Sequence, residues 1–65
     1  MNPLERRIEA ALDAWFEGEG WRLEVRRATG DHVATSWYET DEGEDSGPTV
    51  NLTECARRVA EEVGR

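Results

Sequence analysis

Residues 21–38 read WRLEVRRATGDHVATSWY, and this stretch decides the fold because charged and apolar residues alternate through its first half. A period of two is typical of half-buried strands, and it predicts strands over 21–27 and 32–39. The Ala-Thr-Gly-Asp segment between them has the composition of a turn, so the two strands form an antiparallel hairpin. We expect Trp21 and Trp37 on the same face of this hairpin, the one that helices cover.

Helices are predicted on either side of the hairpin, over 2–17 and 52–63. An asparagine, Asn2 or Asn51, stands at the start of each, and its side chain can accept a hydrogen bond from an amide of the first turn. Each predicted helix also carries apolar residues at helical spacing. In the first helix this apolar stripe consists of Leu4, Ile8, Ala11, Leu12 and Trp15, with Phe16 at its edge.

The order of these elements predicts an α+β fold, helix-strand-strand-helix, with both helices packed on one face of a short antiparallel sheet. The segment 40–48 is polar, acidic and contains glycine, so it is predicted to be a loop. Thr49 and Val50 can add a short third strand near 48–50. The whole chain, 1–65, is expected to form a single domain because of its length.

With that third strand, the order of elements is similar to that of the double-stranded RNA-binding domain, which runs helix, three strands, helix. Such domains hold phosphates with basic side chains at the start of their second helix. The corresponding segment here reads Asn51-Leu52-Thr53-Glu54 and contains no basic residue. The resemblance is therefore one of topology, and it implies no binding of RNA.

The chain is strongly acidic, because 15 Asp and Glu residues against eight basic residues, all of them arginine, give a net charge of −7. This charge argues against direct contact with nucleic acid or an anionic membrane, which need a basic surface, and it favours a basic partner protein. No apolar run approaches the roughly 20 residues of a membrane span. No secretory signal is recognisable either, so we expect the protein in the cytoplasm of a bacterial or phage-infected host cell.

Two groups of carboxylates are the candidate partner-binding residues. Acidic residues four positions apart on a helix repel one another by about 0.2–0.5 kcal/mol per pair, so a row of them predicts a surface kept for a cationic partner. The alternative is an ordinary solvated face. The first group forms such a row on the first helix and consists of Glu5, Glu9, Asp13 and Glu17. The second group lies in the predicted loop and consists of Glu39, Asp41, Glu42, Glu44 and Asp45.

A second interface is predicted on the sheet face that the helices leave open. Arg22, Arg26 and Tyr38 are expected on this face, and both residue types are enriched at protein interfaces. A short sheet also has unpaired edges, which can pair with another strand. These features predict a homodimer as an alternative to a separate partner.

Catalytic, metal-binding and cofactor-binding groups are not expected. Cys55 is the only cysteine, which excludes an intrachain disulfide, and we expect it to be buried in the apolar stripe of the second helix. His32 is the only histidine and is expected to be a solvated turn residue. The acidic segment from Asp41 lacks the spacing of an EF-hand, because position twelve is Leu52 rather than Glu. We therefore expect a protein that is not an enzyme and that holds no metal or cofactor.

The sequence favours a non-enzymatic acidic protein-binding module. In its narrower form, this is an inhibitor that occupies a basic nucleic-acid-binding site on a host protein complex. The size and charge of the chain are similar to those of small phage anti-defence proteins, including anti-CRISPR proteins, and this similarity implies such a role. The alternative is a small structural or regulatory module that self-associates through its sheet face or edge. A third class is a redox or metal sensor that uses Cys55.

Overall fold

The chain folds into two helices and a three-stranded antiparallel sheet, and a computed structural model describes residues 2–65. In chain order, the elements are α1 (Pro3–Gly18), β1 (Arg22–Val25), β2 (His32–Thr40), β3 (Gly43–Asn51) and α2 (Leu52–Val63). The strands lie in the order β1-β2-β3, so consecutive strands are neighbours. The predicted α+β class is confirmed, with the order helix, three strands, helix.

Both helices begin at the asparagines that the sequence indicates as caps. The Oδ1 atom of Asn2 accepts a hydrogen bond from the Glu5 amide at 2.8 Å, and that of Asn51 accepts one from the Glu54 amide at 2.9 Å. Each bond satisfies an amide that has no partner inside its helix. Asn51 also donates from Nδ2 to Asp31 at 3.0 Å, which ties the start of α2 to the turn between β1 and β2.

The predicted acidic loop over 40–48 is wrong, because β3 occupies most of it. Only Asp41 and Glu42 lie between the paired residues Thr40 and Gly43, so the connection is a two-residue turn. Gly43 has a φ of 128°, a conformation that favours glycine. The short third strand expected at the end of this segment is the inner part of a strand nine residues long.

The register of the sheet places Leu23, Ala34 and Val50 side by side on one face. Ala34 is fully buried there, and its two neighbours are half-buried. His32 lies two residues before Ala34 on β2, so it shares this face, and its ring contacts α1. This is therefore the face that α1 covers, while α2 packs against α1 and also contacts β2.

The opposite face carries Arg22, Thr35 and Thr49 in register, and the two threonine hydroxyls are 3.1 Å apart. Trp37 follows Thr35 by two residues, so it lies on this face, where it is 39% exposed. Its predicted position under the helices is wrong. The cause is the pairing of Arg22 with Thr35, because a shift of one residue in register exchanges the two faces of a strand.

The core of the molecule is small. Its buried hydrophobic residues are Val33, Ala34, Leu52, Ala56 and Ala60. α1 contributes no fully buried residue, and the apolar stripe predicted for it is only partly correct. The stripe residues that face inward and are half-buried are Ile8, Leu12 and Phe16, whereas those that are exposed are Leu4, Ala11 and Trp15.

A bulge interrupts the hairpin of β2 and β3. Ser36 lies opposite two residues of β3, Gly47 and Pro48, because the register shifts at this point. The Ser36 hydroxyl donates a hydrogen bond to the Pro48 carbonyl at 3.2 Å. A Cβ atom on residue 47 would lie 2.3 Å from Ser36 Oγ, so only glycine allows this close approach with the hydroxyl in place.

Beyond the bulge, the hairpin continues without support from the rest of the sheet. β1 pairs with β2 only over His32–Thr35, so the outer part of the hairpin has two strands. We call this outer part, residues 37–46, the arm. The molecule is elongated as a result, with dimensions of 48 × 24 × 15 Å.

Candidate functional site

The arm presents side chains to solvent on both of its faces. All ten residues of 37–46 are exposed. The second group of predicted partner-binding residues lies entirely on the arm and consists of Glu39, Asp41, Glu42, Glu44 and Asp45. The structure therefore brings these five carboxylates together at one end of the molecule.

The carboxylates of the arm are only partly compensated. Glu39 lies directly opposite Glu44 in the ladder, and like charges in this position destabilise a sheet. Arg22 of β1 forms an ion pair with Glu44, and the Tyr38 hydroxyl donates to Asp45 at 3.4 Å. The arm itself contains no lysine or arginine. It therefore keeps most of its negative charge.

The ion pair of Arg22 is held on an aromatic ring at the base of the arm. The Arg22 guanidinium carbon lies 4.8 Å from the centre of the Trp37 ring, a distance at which cation and ring attract each other. The ring is fixed in turn, because Trp37 Nε1 donates to the Gly20 carbonyl at 2.7 Å. Arg22 thus neutralises one carboxylate of the arm from a defined position.

The three residues predicted to form a second interface do not share a surface. Arg22 lies on the face of Trp37, while Tyr38 follows Trp37 on β2 and therefore points to the opposite face, where it is 51% exposed. Arg26 lies outside the strands, and its amide donates to the Asp31 carbonyl at 2.8 Å in the turn after β1. The predicted common face is wrong, because the register of β1 with β2 separates its members.

The outer edge of the sheet is poorly suited to pairing with another strand. β3 forms this edge. It contains Pro48, which has no amide to donate, and it bears Glu44 and Asp45, which would repel a second acidic strand. Self-association through the sheet stays a prediction. These residues oppose it at the edge formed by β3, while β1 forms the other edge.

The first group of predicted residues does not form one exposed row. Glu5 belongs to the cap of α1, where it accepts from Asn2 Nδ2 at 3.2 Å, and Glu17 is exposed at the other end. The two central side chains face inward, because Glu9 is only 12% exposed and Asp13 25%. The middle of the predicted acidic row is therefore used inside the molecule.

Glu9 and Asp13 form a polar cluster with His32 and Thr53. His32 Nδ1 lies 2.8 Å from Asp13 Oδ2, and His32 Nε2 lies 3.6 Å from Glu9 Oε1. The Thr53 hydroxyl donates to Glu9 at 2.6 Å and accepts from the His32 amide at 2.8 Å. This cluster joins α1, β2 and α2 at one point.

The cluster favours the protonated form of its histidine. The hydrogen bond with Asp13 raises the pKa of His32 above its ordinary value. The negative charges of Asp13, Glu9 and Asp31 add to this increase in pKa, and partial burial opposes it. The expectation of a solvated turn residue is wrong, because β2 begins at His32 and the ring is bound to α1.

The remaining candidate groups are isolated. Within residues 2–65, no three His, Cys, Asp or Glu side chains are grouped so that they could hold a metal ion. Cys55 is a free thiol and is half-buried rather than buried. It lines a shallow groove on α2 together with Glu54 and Arg58. Among the described residues, the arm is the candidate site in which a whole predicted group comes together at exposed positions.

Comparisons with protein-family models, curated proteins and solved structures find no match to this chain. In the part of the chain that the structure describes, neither helix is long and apolar enough to cross a membrane. Function is therefore inferred from the geometry and charge of the arm.

Proposed function

We propose that this protein is a non-enzymatic binding module that docks its acidic arm onto a basic surface of a partner protein. The observation that carries the proposal is the exposure of five carboxylates on the arm, of which only Glu44 has a cationic partner within residues 2–65. Solubility alone does not require this placement, since carboxylates gathered on a hairpin two strands wide repel one another. Contact with cationic side chains would relieve the repulsion, and this relief favours docking.

The shape of the arm suits a groove better than a flat surface. It is two strands wide and exposed on both faces, so cationic side chains can approach it from two sides. Grooves that hold the backbone of nucleic acid are lined with lysine and arginine. In the narrower form of the proposal, the arm occupies such a groove and excludes nucleic acid, as an inhibitor of the phage anti-defence type does.

The test compares two variants that lose the same charge at different places. Glu44 is kept in both because it pairs with Arg22. The arm variant combines Glu39→Gln, Asp41→Asn, Glu42→Gln and Asp45→Asn. The control variant removes four exposed carboxylates elsewhere and combines Glu19→Gln, Glu24→Gln, Glu61→Gln and Glu62→Gln. A difference in affinity between the two variants then results from the position of the charges and not from the net charge, which is the same in both.

Wild type and both variants are used to capture proteins from a lysate of the source cell, and the dissociation constant of the captured protein is measured with each. We expect at least a tenfold loss of affinity for the arm variant, little change for the control, and weaker binding by the wild type as salt is raised from about 50 to 300 mM. Equal affinity of the two variants would refute the role of the arm. If a short oligonucleotide does not compete, the narrower form alone fails.

A further inference from the structure

β1 forms one edge of the sheet, and alternate residues of β1 direct their backbone groups outward along this edge. In an antiparallel ladder, residues that bond to the neighbouring strand alternate with residues whose amide and carbonyl point away from it. The Arg26 amide donates to the Asp31 carbonyl at 2.8 Å, which fixes the alternation on β1. The amides and carbonyls of Leu23 and Val25 therefore point away from β2.

The residue opposite Val25 supports this assignment. It is His32, whose amide donates to the Thr53 hydroxyl at 2.8 Å and is therefore not directed at β1. Val25 and His32 are thus a pair without mutual hydrogen bonds. Within residues 2–65, neither Leu23 nor Val25 takes part in a backbone hydrogen bond outside the sheet. An edge with unpaired amides and carbonyls is a template for another strand.

The charges on β1 distinguish its edge from the edge formed by β3. β3 contains Pro48 and several acidic residues, whereas β1 contains no proline and one charge of each sign. Arg22 and Glu24 are two residues apart, so they lie on the same face of β1. On the other face, Leu23 is half-buried and Val25 is 57% exposed. A strand of this composition is complementary in charge to a second copy of itself.

We propose that β1 pairs antiparallel with β1 of a second copy of this chain, with Leu23 at the two-fold axis. Arg22 of each copy then lies opposite Glu24 of the other. These contacts fall at positions without mutual hydrogen bonds, where side chains are closest and opposite charges attract. On the other face, Val25 lies opposite Trp21 of the second copy and gains apolar contact. This interface is separate from the docking of the arm and gives the predicted self-association a defined edge.

Charge and length select this register from the neighbouring ones. An axis at Glu24 would place this carboxylate opposite its own copy, which is unfavourable. An axis at Val25 would place Leu23 opposite Arg27, which lies beyond the end of β1. The axis at Leu23 pairs every residue of β1 and joins opposite charges. Charge complementarity thus selects both the partner and the register.

Both charged residues of β1 are available for this contact. Glu24 is exposed and forms no ion pair within residues 2–65. Arg22 pairs with Glu44, but its side chain is 59% exposed. A guanidinium has five N–H donors, so it can bind a second carboxylate while it keeps the first. The second copy therefore supplies Glu24 with a cation that the single chain does not.

The size of the core also supports a second copy as the partner. A chain below about 70–80 residues rarely gains enough stability from a single hydrophobic core, and small proteins add disulfides, metals or oligomerisation. The core here contains three alanines with Val33 and Leu52. The single cysteine, Cys55, cannot form a disulfide within the chain. Pairing of two β1 strands extends the sheet from three strands to six.

The first test mixes two charge-reversed variants and measures association by sedimentation equilibrium. The wild type should form a dimer that dissociates on dilution. Glu24→Arg places two arginines together at each contact and Arg22→Glu places two glutamates together, so each variant alone should associate roughly tenfold more weakly. In an equimolar mixture every contact again joins opposite charges, and the association constant should return to within about threefold of the wild-type value.

The matched control reverses the same charges at exposed positions of α2, in Glu61→Arg and Arg57→Glu. These two variants have the same net charges as the first pair. Each should associate as the wild type does, both alone and in a mixture. Recovery in the first mixture therefore reports contact between residues 22 and 24 of different copies and not attraction between the net charges.

The second test blocks the edge itself. Val25→Pro removes an amide that points away from β2, so the ladder within one chain keeps its hydrogen bonds while a second strand loses its donor. We expect this variant to be monomeric up to about 1 mM. Val25→Thr keeps the amide and nearly the same shape, and it should dimerise with a constant within about threefold of the wild-type value.

Three results would overturn the proposal. The wild type could stay monomeric up to about 1 mM, the mixture could show no recovery although circular dichroism reports two folded variants, or Val25→Pro could dimerise as the wild type does. The arm lies outside this edge, so the arm variant described above should dimerise normally, and Val25→Pro should still bind the partner of the arm. Failure of arm binding and failure of dimerisation are therefore distinguishable.

Discussion

His32 joins three elements that are distant in the sequence. Its ring contacts Asp13 of α1, and its amide donates to Thr53 of α2, while the residue itself begins β2. The protonated ring offsets the charge of Asp13 and Glu9, which are partly withdrawn from water. Loss of the proton leaves this carboxylate pair without its cation, so the cluster should make stability depend on pH.

The first prediction concerns this dependence. The pKa of His32 is raised in the folded state, so its stabilisation is fully present below the unfolded value of about 6.5 and is lost as pH rises through the folded value. The free energy of unfolding should fall as pH rises above about 6.5, by at most about 1 kcal/mol because the pair is partly exposed. In His32→Gln this fall should disappear. Urea titrations followed by tryptophan fluorescence measure the free energy of unfolding at each pH. An unchanged pH dependence in the variant would contradict the role of the cluster.

The second prediction concerns the bulge. In Gly47→Ala, the new Cβ forces the Ser36 hydroxyl to rotate away from the Pro48 carbonyl, which should cost about 1 kcal/mol for the lost hydrogen bond. In a Ser36→Ala background the obstructing oxygen is absent, so the same change should cost much less. A double-mutant cycle on unfolding free energies measures the coupling. Equal costs in the two backgrounds would show that the close approach does not matter.

At the residue scale, the sequence predicts what is local. The caps at Asn2 and Asn51 are correct because each bond joins residues three apart. The contacts of His32 are not predictable in this way, since its partners lie 19 and 21 residues away along the chain. Glu9 and Asp13 therefore resemble members of a solvated row until the packing of α1 on β2 is known.

At the element scale, the arm is the main departure from expectation. Strands are recognised from sequence by alternation between a buried and an exposed side. The arm is exposed on both sides, so polar residues occupy every position of its second strand and the pattern of a loop results. The hairpin of β1 and β2, in which one face lies under α1, shows the alternation. Both of its strands are predicted, although the face of Trp37 is not and β1 is shorter than expected. Burial of one face thus produces the alternation that predicts β1 and β2, and exposure of both faces removes it from the arm.

The third prediction belongs to the arm. In Glu39→Lys, a cation replaces an anion opposite Glu44, which should stabilise the arm by about 0.2–1 kcal/mol. The same change should weaken binding to the basic partner, because it removes a negative charge and adds a positive one. Hydrogen exchange of the arm amides and the dissociation constant measure the two effects.

The control for this change is Glu24→Lys on β1, where the ladder partner is the apolar Val33. It should leave both the exchange of the arm and the affinity unchanged. If Glu39→Lys speeds exchange, or leaves binding intact, the arm is not a repulsive surface kept for a partner.

At the scale of the whole molecule, a small core supports an elongated body. Leu52 is the largest fully buried side chain, and α1 adds only half-buried residues. The α+β class follows from the alternation and the two capped helices. The rotation of α1 does not, because its apolar stripe and its acidic row adjoin on the helix, and the partners of Glu9 and Asp13 on α2 and β2 are distant in the sequence. The predicted acidic row is therefore wrong at its centre, and the predicted apolar stripe is only partly correct.

The fourth prediction tests how far the core depends on one residue. Leu52→Ala should cost about 2–5 kcal/mol, a large part of the roughly 3–10 kcal/mol expected for a chain of this length. We expect the variant to be largely unfolded by circular dichroism at about 25 °C. Val63→Ala, at a side chain that is 65% exposed, should change stability by less than about 0.5 kcal/mol. A cooperatively folded Leu52→Ala protein with near wild-type stability would place the core elsewhere.

The lack of lysine and arginine on the arm has a consequence for limited proteolysis. No lysine or arginine lies between Arg27 and Arg57, so trypsin has no cleavage site there even if the arm opens. A glutamate-specific protease has several, and the exposed turn after Glu42 is the most accessible of them. When a partner encloses the turn, cleavage by the glutamate-specific protease should slow. The fragments that trypsin produces from the rest of the chain should stay the same, so the two digests together report whether the arm is covered.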